Sequence, residues 1–241
     1  MYRERPAALR GAVLWTSLSG GAPVRVLPDG CLDLLWSSRS GLLVAGPDRT
    51  AYLTGSARGE RWLGLRLPPG VGPAVLGVPA DELRDRRVPL DALWGRAATE
   101  VAERLGDRPT GAGLTAVAAA RLAAAGGPDP LGARVAALLA AGATVTATAA
   151  EVGLGPRALH RRSQALFGYG PKTLARILRM RRAVALAGTG VPLAEVAVRA
   201  GYADQAHLTR DVRELAGVPP TGLLSGWSGR PAAGQFPPSG A

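Results

Sequence analysis

Residues 146–223 carry one pattern twice, at a constant offset of 49 residues. The first copy runs through Leu159, Arg161, Gly168, Tyr169, Gly170 and Pro171. The second runs through Leu208, Arg210, Gly217, Val218, Pro219 and Pro220. Each copy opens with a short Ala-rich stretch, turns at a glycine (Gly153 or Gly201), and continues into a second stretch with an arginine on one face. Two short helices joined by such a turn make a helix-turn-helix, whose second helix fits a DNA major groove. Two units in one chain can address two successive grooves without a partner subunit.

The helical spacing sorts the side chains. In the first unit, Thr146–Val152 is the supporting helix and Gly153-Leu154-Gly155 the turn, and Pro156 suits the first position of the next helix, where its missing N–H does no harm. Along Pro156–Phe167, Leu159, Ser163 and Leu166 fall on one side, and Arg157, His160, Arg161 and Gln164 on the other. Arg grips guanine O6 and N7 with two bonds, and His or Gln bonds base edges, so Arg157, His160 and Arg161 are candidate base readers. In the second unit Asp204 is a candidate N-cap for a helix over 204–216, with Gln205, Thr209 and Arg210 facing outward. His207 reads better as a packing or capping residue. A helix from Pro171 to about Ala187 connects the units. Leu174, Ile177, Leu178 and Val184 form its apolar stripe, while Lys172, Arg176 and Arg179 are candidate phosphate contacts. At about 1.5 Å per residue it spans about 26 Å, enough to hold two recognition helices about 34 Å apart, one turn of DNA.

Charge supports this division. Residues 131–230 carry 13 Lys and Arg against 5 Asp and Glu, and the rest of the chain 16 against 13. A basic half joined to a nearly balanced half points to an anion-binding module attached to something else. No apolar run approaches the roughly 18 residues that span a bilayer, so no membrane partner is expected. No leader precedes the first charges at Arg3, Glu4 and Arg5. Cys31 is the only cysteine, and His160 and His207 are the only histidines, so neither a disulfide, a metal site nor a cofactor is expected. These counts fit a reducing cytoplasm, with the nucleoid as the place of action.

The first 67 residues read as strands: Ala12–Trp15, Val24–Leu27, Leu32–Trp36, Leu42–Ala45 and Trp62–Leu67, with a hairpin turn at Asp29-Gly30. Strands without intervening helices favour an antiparallel sheet or small barrel. Helices are expected at Val71–Leu76, Ala80–Asp85, Leu90–Leu105, Leu114–Ala125 and Leu131–Ala141, with a linker over Gly106–Gly113. The domain expectation is a sensor or dimerisation domain over 1–108, a linker and helix over 109–130, a DNA-binding domain over 131–228, and a disordered tail over 229–241. Each half is expected to fold by itself. Asp33 alternates with Leu32 and Leu34, and Arg66 with Leu65 and Leu67. The two charges either face a ligand or form a structural ion pair, the reading favoured here.

At the residues of the doubled module the chain resembles the AraC/XylS family of bacterial transcription regulators. The likeness rests on Leu-x-Arg in the first unit, Gly168-Tyr169-Gly170-Pro171-Lys172, the basic connecting helix, Glu195-Val196-Ala197, and the run from Gly201 to Leu208. It implies that Arg157, His160 and Arg161 face one major groove, and Gln205, Thr209 and Arg210 the next. The family usually has Phe where this chain has Ser163 and Val212. Residues 28–34, 64–70, Leu83-Arg84-Asp85 and Val88-Pro89-Leu90 resemble an N-terminal domain found in many actinobacterial regulators. That likeness implies a cupin-like half-barrel with trailing helices, and assigns no ligand.

The combined expectation is an α+β chain: an N-terminal cupin-like antiparallel half-barrel with trailing helices, then an all-α double helix-turn-helix domain. Its partner is double-stranded DNA. A small-molecule effector or homodimerisation would control it, and RNA polymerase would be a further partner if it activates. Two alternatives stay open. A nonspecific architectural DNA binder would bind random and promoter DNA alike. An enzyme would use Cys31 or Asp33, but the N-terminal half holds neither a histidine nor a second cysteine to activate a nucleophile.

Overall fold

The computed structural model describes residues 2–225, and the tail over 229–241 lies outside them. Strands come first: β1 (Tyr2–Pro6), β2 (Val13–Leu18), β3 (Arg25–Val26), β4 (Leu32–Ser37), β5 (Gly41–Ala45), β6 (Tyr52–Leu53) and β7 (Arg61–Leu67). Then follow α1 (Gly72–Leu76), a 3-10 turn at Ala80–Glu82, β8 (Arg87–Pro89), α2 (Asp91–Trp94), α3 (Arg96–Leu105) and α4 (Gly111–Ala124). The remainder is helical: α5 (Pro130–Ala140), α6 (Val145–Glu151), α7 (Pro156–Phe167), α8 (Pro171–Gly188), α9 (Leu193–Ala200), α10 (Gln205–Ala216) and α11 (Pro220–Ser225). The α+β class expected from the sequence is what forms.

Six strands make one antiparallel sheet in the order β1-β2-β7-β4-β5-β8, and β3 pairs with β6 in a small second sheet. Period-2 alternation decides which side chains go inside. Leu32 pairs with Leu67 and Leu34 with Leu65, and these four are at most 1% exposed. They pack with Leu14, Val44, Leu76 and Leu114 in the N-terminal core. On the opposite face the Trp15 indole covers Gly64, where any Cβ would sit 2.2 Å from the ring. The sequence reading missed β1, β6 and β8. β1 is mostly charged, β6 has two residues, and β8 has three with a proline at its end, so none shows an apolar run.

Three helical expectations shift. The Ala80–Asp85 helix reduces to the 3-10 turn at Ala80–Glu82, since Asp85 at φ 58° lies outside helical geometry. The Leu90–Leu105 helix divides into α2 and α3 at Gly95, whose φ of 52° takes the chain out of helical geometry. The linker over Gly106–Gly113 gives way to α4 at Gly111, because the Thr110 hydroxyl accepts from the Gly113 N–H and caps the helix there. α4 places Leu114, Val117 and Ala118 in the N-terminal core.

The two cores meet closely. Leu27, from the strand-rich half, belongs to the apolar cluster of the helical half beside Phe167, Tyr169 and Leu174. Gly70 (φ 87°) lies so near Gly132 of α5 that a Cβ on either would stand 2.8–3.0 Å from the other's Cα.

Candidate DNA interface

The repeat in sequence is a repeat in space. α7 and α10 are both 12 residues long and begin 49 residues apart, as do α8 and α11. Each recognition helix ends at a left-handed glycine, Gly168 (φ 83°) or Gly217 (φ 74°), whose N–H donates to the carbonyl four residues back. Glycine bears this conformation without a Cβ penalty. The starts differ: α7 has Pro156 at its first turn and no side-chain cap, whereas the Asp204 carboxylate accepts from the His207 N–H at 2.6 Å.

Helical spacing buries one stripe of each helix. Leu159, Ser163, Leu166 and Phe167 of α7, and Leu208, Asp211, Val212 and Leu215 of α10, are buried. Arg157, His160 and Arg161 are exposed on α7, as are Gln205 and Arg210 on α10. Thr209 is half-buried, and its hydroxyl donates to the Gln205 carbonyl at 2.8 Å, leaving the oxygen's lone pairs for a donor. His160 is less free than its exposure suggests, since its ring lies over Gly170, 2.6 Å from where a Cβ would stand. His207 is structural: its Nδ1 accepts from the Ala203 N–H at 3.4 Å, and its ring stands edge-on to Tyr202. The sequence reading missed Arg213, an exposed cation on α10. The signal was available, because Arg213 is the 49-residue counterpart of Gln164.

Of the three candidate phosphate contacts on α8, Lys172 is exposed. Arg176 and Arg179 have another partner. Asp211 of α10, 5% exposed, sits 2.7 Å from Arg176 and 3.1 Å from Arg179, and accepts from the Tyr202 hydroxyl at 3.1 Å. Arg179 also stacks on the Tyr202 ring. Burial alone would raise the Asp211 pKa, but hydrogen bonds from Arg179 and Arg176 outweigh it and hold the carboxyl below the usual carboxylate range. The sequence reading missed Asp211 because one acid among basic residues looks like surface. Arg182 is likewise occupied, donating to the last carbonyls of α5 (Ala140) and α9 (Ala200).

Asp33 and Arg66 sit opposite one another in the β4–β7 register. Arg66 is ringed by Glu4 at 3.1 Å, Asp29 at 3.2 Å and Asp33 at 3.7 Å, and Asp33 also accepts from the Trp15 indole N–H at 2.8 Å. Burial, against the pull of Arg66, pushes the Asp33 carboxyl above its ordinary pKa. Both candidate ligand-facing residues therefore have protein partners. Cys31 is buried, and burial, reinforced by Asp29, pushes its thiol well up, away from the reactive thiolate. Among the described residues no helix is long and apolar enough to cross a membrane.

Comparison with known proteins gives two separate matches along the chain. Residues 135–225 match the family described as "Helix-turn-helix domain", and residues 12–89 match "Domain of unknown function (DUF6597)". The C-terminal domain of AraT, a response regulator from Geobacillus stearothermophilus, is 23% identical over 41% of this chain and 86% of its own, with a TM-score of 0.38. A probable AraC family transcriptional regulator from Rhodopseudomonas palustris is also 23% identical, over 40% of this chain and 96% of its own, with a TM-score of 0.36. A single-residue variant of ToxT from Vibrio cholerae, in its apo form, is 11% identical over 92% of this chain and 99% of its own, with a TM-score of 0.50, a likeness of the two-domain fold alone. No curated protein matches. The helix-turn-helix match spans both copies of the repeat, and the strand-rich half in front of it matches the domain of unknown function, so the chain joins a domain of that kind to a helix-turn-helix domain.

Proposed function

We propose that α7 and α10 enter two successive major grooves of one duplex, and that the N-terminal domain controls this binding through a small-molecule effector or through homodimerisation. Arg157, His160 and Arg161 meet base edges in one groove, and Gln205, Thr209 and Arg210 in the next. Lys172, exposed in the first turn of α8, meets a phosphate between them. The protein acts at the nucleoid, and RNA polymerase is a further partner if it activates.

One observation carries this reading. Arg161 and Arg210 occupy the same position on two helices of equal length, with the same glycine cap and the same buried leucine two residues earlier. α8, 18 residues and so about 27 Å long, connects the two units and packs against both helices. The test is selection from a pool of random duplexes with the full chain, followed by titration at physiological salt. The expected product is a two-part site whose halves lie about 10 base pairs apart. Equal affinity for selected and random duplexes would sink the reading in favour of a nonspecific architectural role.

A further inference from the structure

The N-terminal domain grips both recognition helices, at equivalent ends. An Arg84 guanidinium N–H donates to the Gly168 carbonyl, just beyond α7, at 2.9 Å. An Arg25 guanidinium N–H donates to the Ala216 carbonyl, the last of α10, at 2.7 Å, and the Ala51 N–H donates to the Leu215 carbonyl at 2.7 Å. Carbonyls at a helix C-terminus have no partner inside the helix, and the dipole there favours a cation. The two arginines come from separate parts of the same domain and meet the two copies of one repeat.

The mountings differ in stiffness. Arg84 follows Leu83, which is 2% exposed and whose carbonyl lies so close to Gly46 that a Cβ there would stand 1.6 Å from it. It precedes Asp85, held at φ 58° with its N–H on the Pro47 carbonyl. Gly168 itself abuts Pro47. Arg25 sits on the two-residue strand β3, flanked by exposed Val24 and paired with exposed Leu53. The α7 end is thus held on a rigid seat and the α10 end on a lighter one.

We infer that Arg84 and Arg25 are positioning residues: through these carbonyls the N-terminal domain fixes the distance and angle between α7 and α10, and so selects the spacing between the two half-sites. This rests on the two-groove reading proposed above. Neither residue need touch DNA. A change in the N-terminal domain that moved β3 relative to the Arg84 turn would alter which spacing is preferred.

The experiment uses the full chain and a site selected with it from random duplexes. One inserted base pair between the half-sites turns one about 34° from the other. The unsubstituted protein is expected to lose about tenfold or more in affinity on the inserted site. Arg25→Ala/Arg84→Ala is expected to lose less than about threefold, while Arg25→Lys/Arg84→Lys, which keeps a cation for each carbonyl, discriminates like the parent. Arg25→Ala alone, at the lighter seat, is expected to relax the spacing without loss of helical circular dichroism, and decides the matter if the double variant does not fold. The inference is overturned if the alanine variants penalise the insertion as strongly as the parent, or if they weaken binding equally at every spacing. A parent selection that yields no two-part site overturns the two-groove reading first, and this inference with it.

Discussion

Arg176 of α8 and Asp211 of α10 meet at 2.7 Å, and the pair ties the second recognition helix to the connecting helix. Arg176 also reaches Glu214, so loss of Asp211 leaves it one acceptor, while Arg179 and the Tyr202 hydroxyl lose theirs. Asp211→Ala is expected to cost about 1–3 kcal/mol in urea unfolding, because buried and half-buried donors are left with fewer acceptors. The depressed pKa of Asp211 also sets a pH dependence. Its contribution is fully present above its unfolded value near 3.9 and is lost as pH falls through the lower folded value. Stability should therefore drop as pH goes below about 4, and Asp211→Asn should flatten that drop. An unchanged acid profile in the variant would remove Asp211 from its place as the hub.

Salt dependence separates the basic residues of α8. Lys172→Ala should lower the slope of log affinity against log salt by about 1, the signature of one lost phosphate contact. Arg176→Ala and Arg179→Ala should leave that slope nearly unchanged and lower the melting temperature instead, because both are held by Asp211. The opposite pattern, with slope changes only in the two arginine variants, would mean that the ion pairs open on DNA.

Arg161→Ala and Arg210→Ala should each weaken specific binding by about 1–3 kcal/mol, and footprints should weaken at two places about 10 base pairs apart. Both side chains are exposed, so the folded state should be little affected. Equal small losses on every sequence would reassign them to the backbone.

Ser163 tests the packing of the first unit. It is 1% exposed, and its hydroxyl has no hydrogen-bond partner among the described residues. Ser163→Ala is expected to stabilise the protein by about 1 kcal/mol, read by thermal or urea unfolding, because an unsatisfied buried hydroxyl is removed. A destabilised variant would mean that the hydroxyl is satisfied.

What the sequence made legible follows from periodicity. The doubled helices were readable because a 49-residue offset repeats both the leucine and the glycine cap, and α7 and α10 end at those glycines. The central strands were readable because leucines alternate in Leu32–Trp36 and Leu63–Leu67. The ion pair of Asp33 and Arg66 followed from the same alternation, although Glu4, from a charged strand, and Asp29, from a turn, complete it without any signal of their own. Nothing local distinguishes Arg176 from Lys172: one is paired because Asp211 arrives from 35 residues away, the other stands exposed. The arginines at positions 25 and 84 were equally silent, since their partners are backbone carbonyls of another domain.

The contact between Gly70 and Gly132 has a consequence for how such a chain can change. Two backbones touch there with no side chain between them, and Gly70 is in a conformation that other residues resist. Any larger residue on either side would wedge the halves apart along the seam that also seats Phe167. The N-terminal and helical halves are thus fitted as a matched pair. A regulator built by grafting a foreign N-terminal domain onto residues 130–225 would inherit α7 and α10 but not this seam, unless the graft brought a glycine of the same geometry to it.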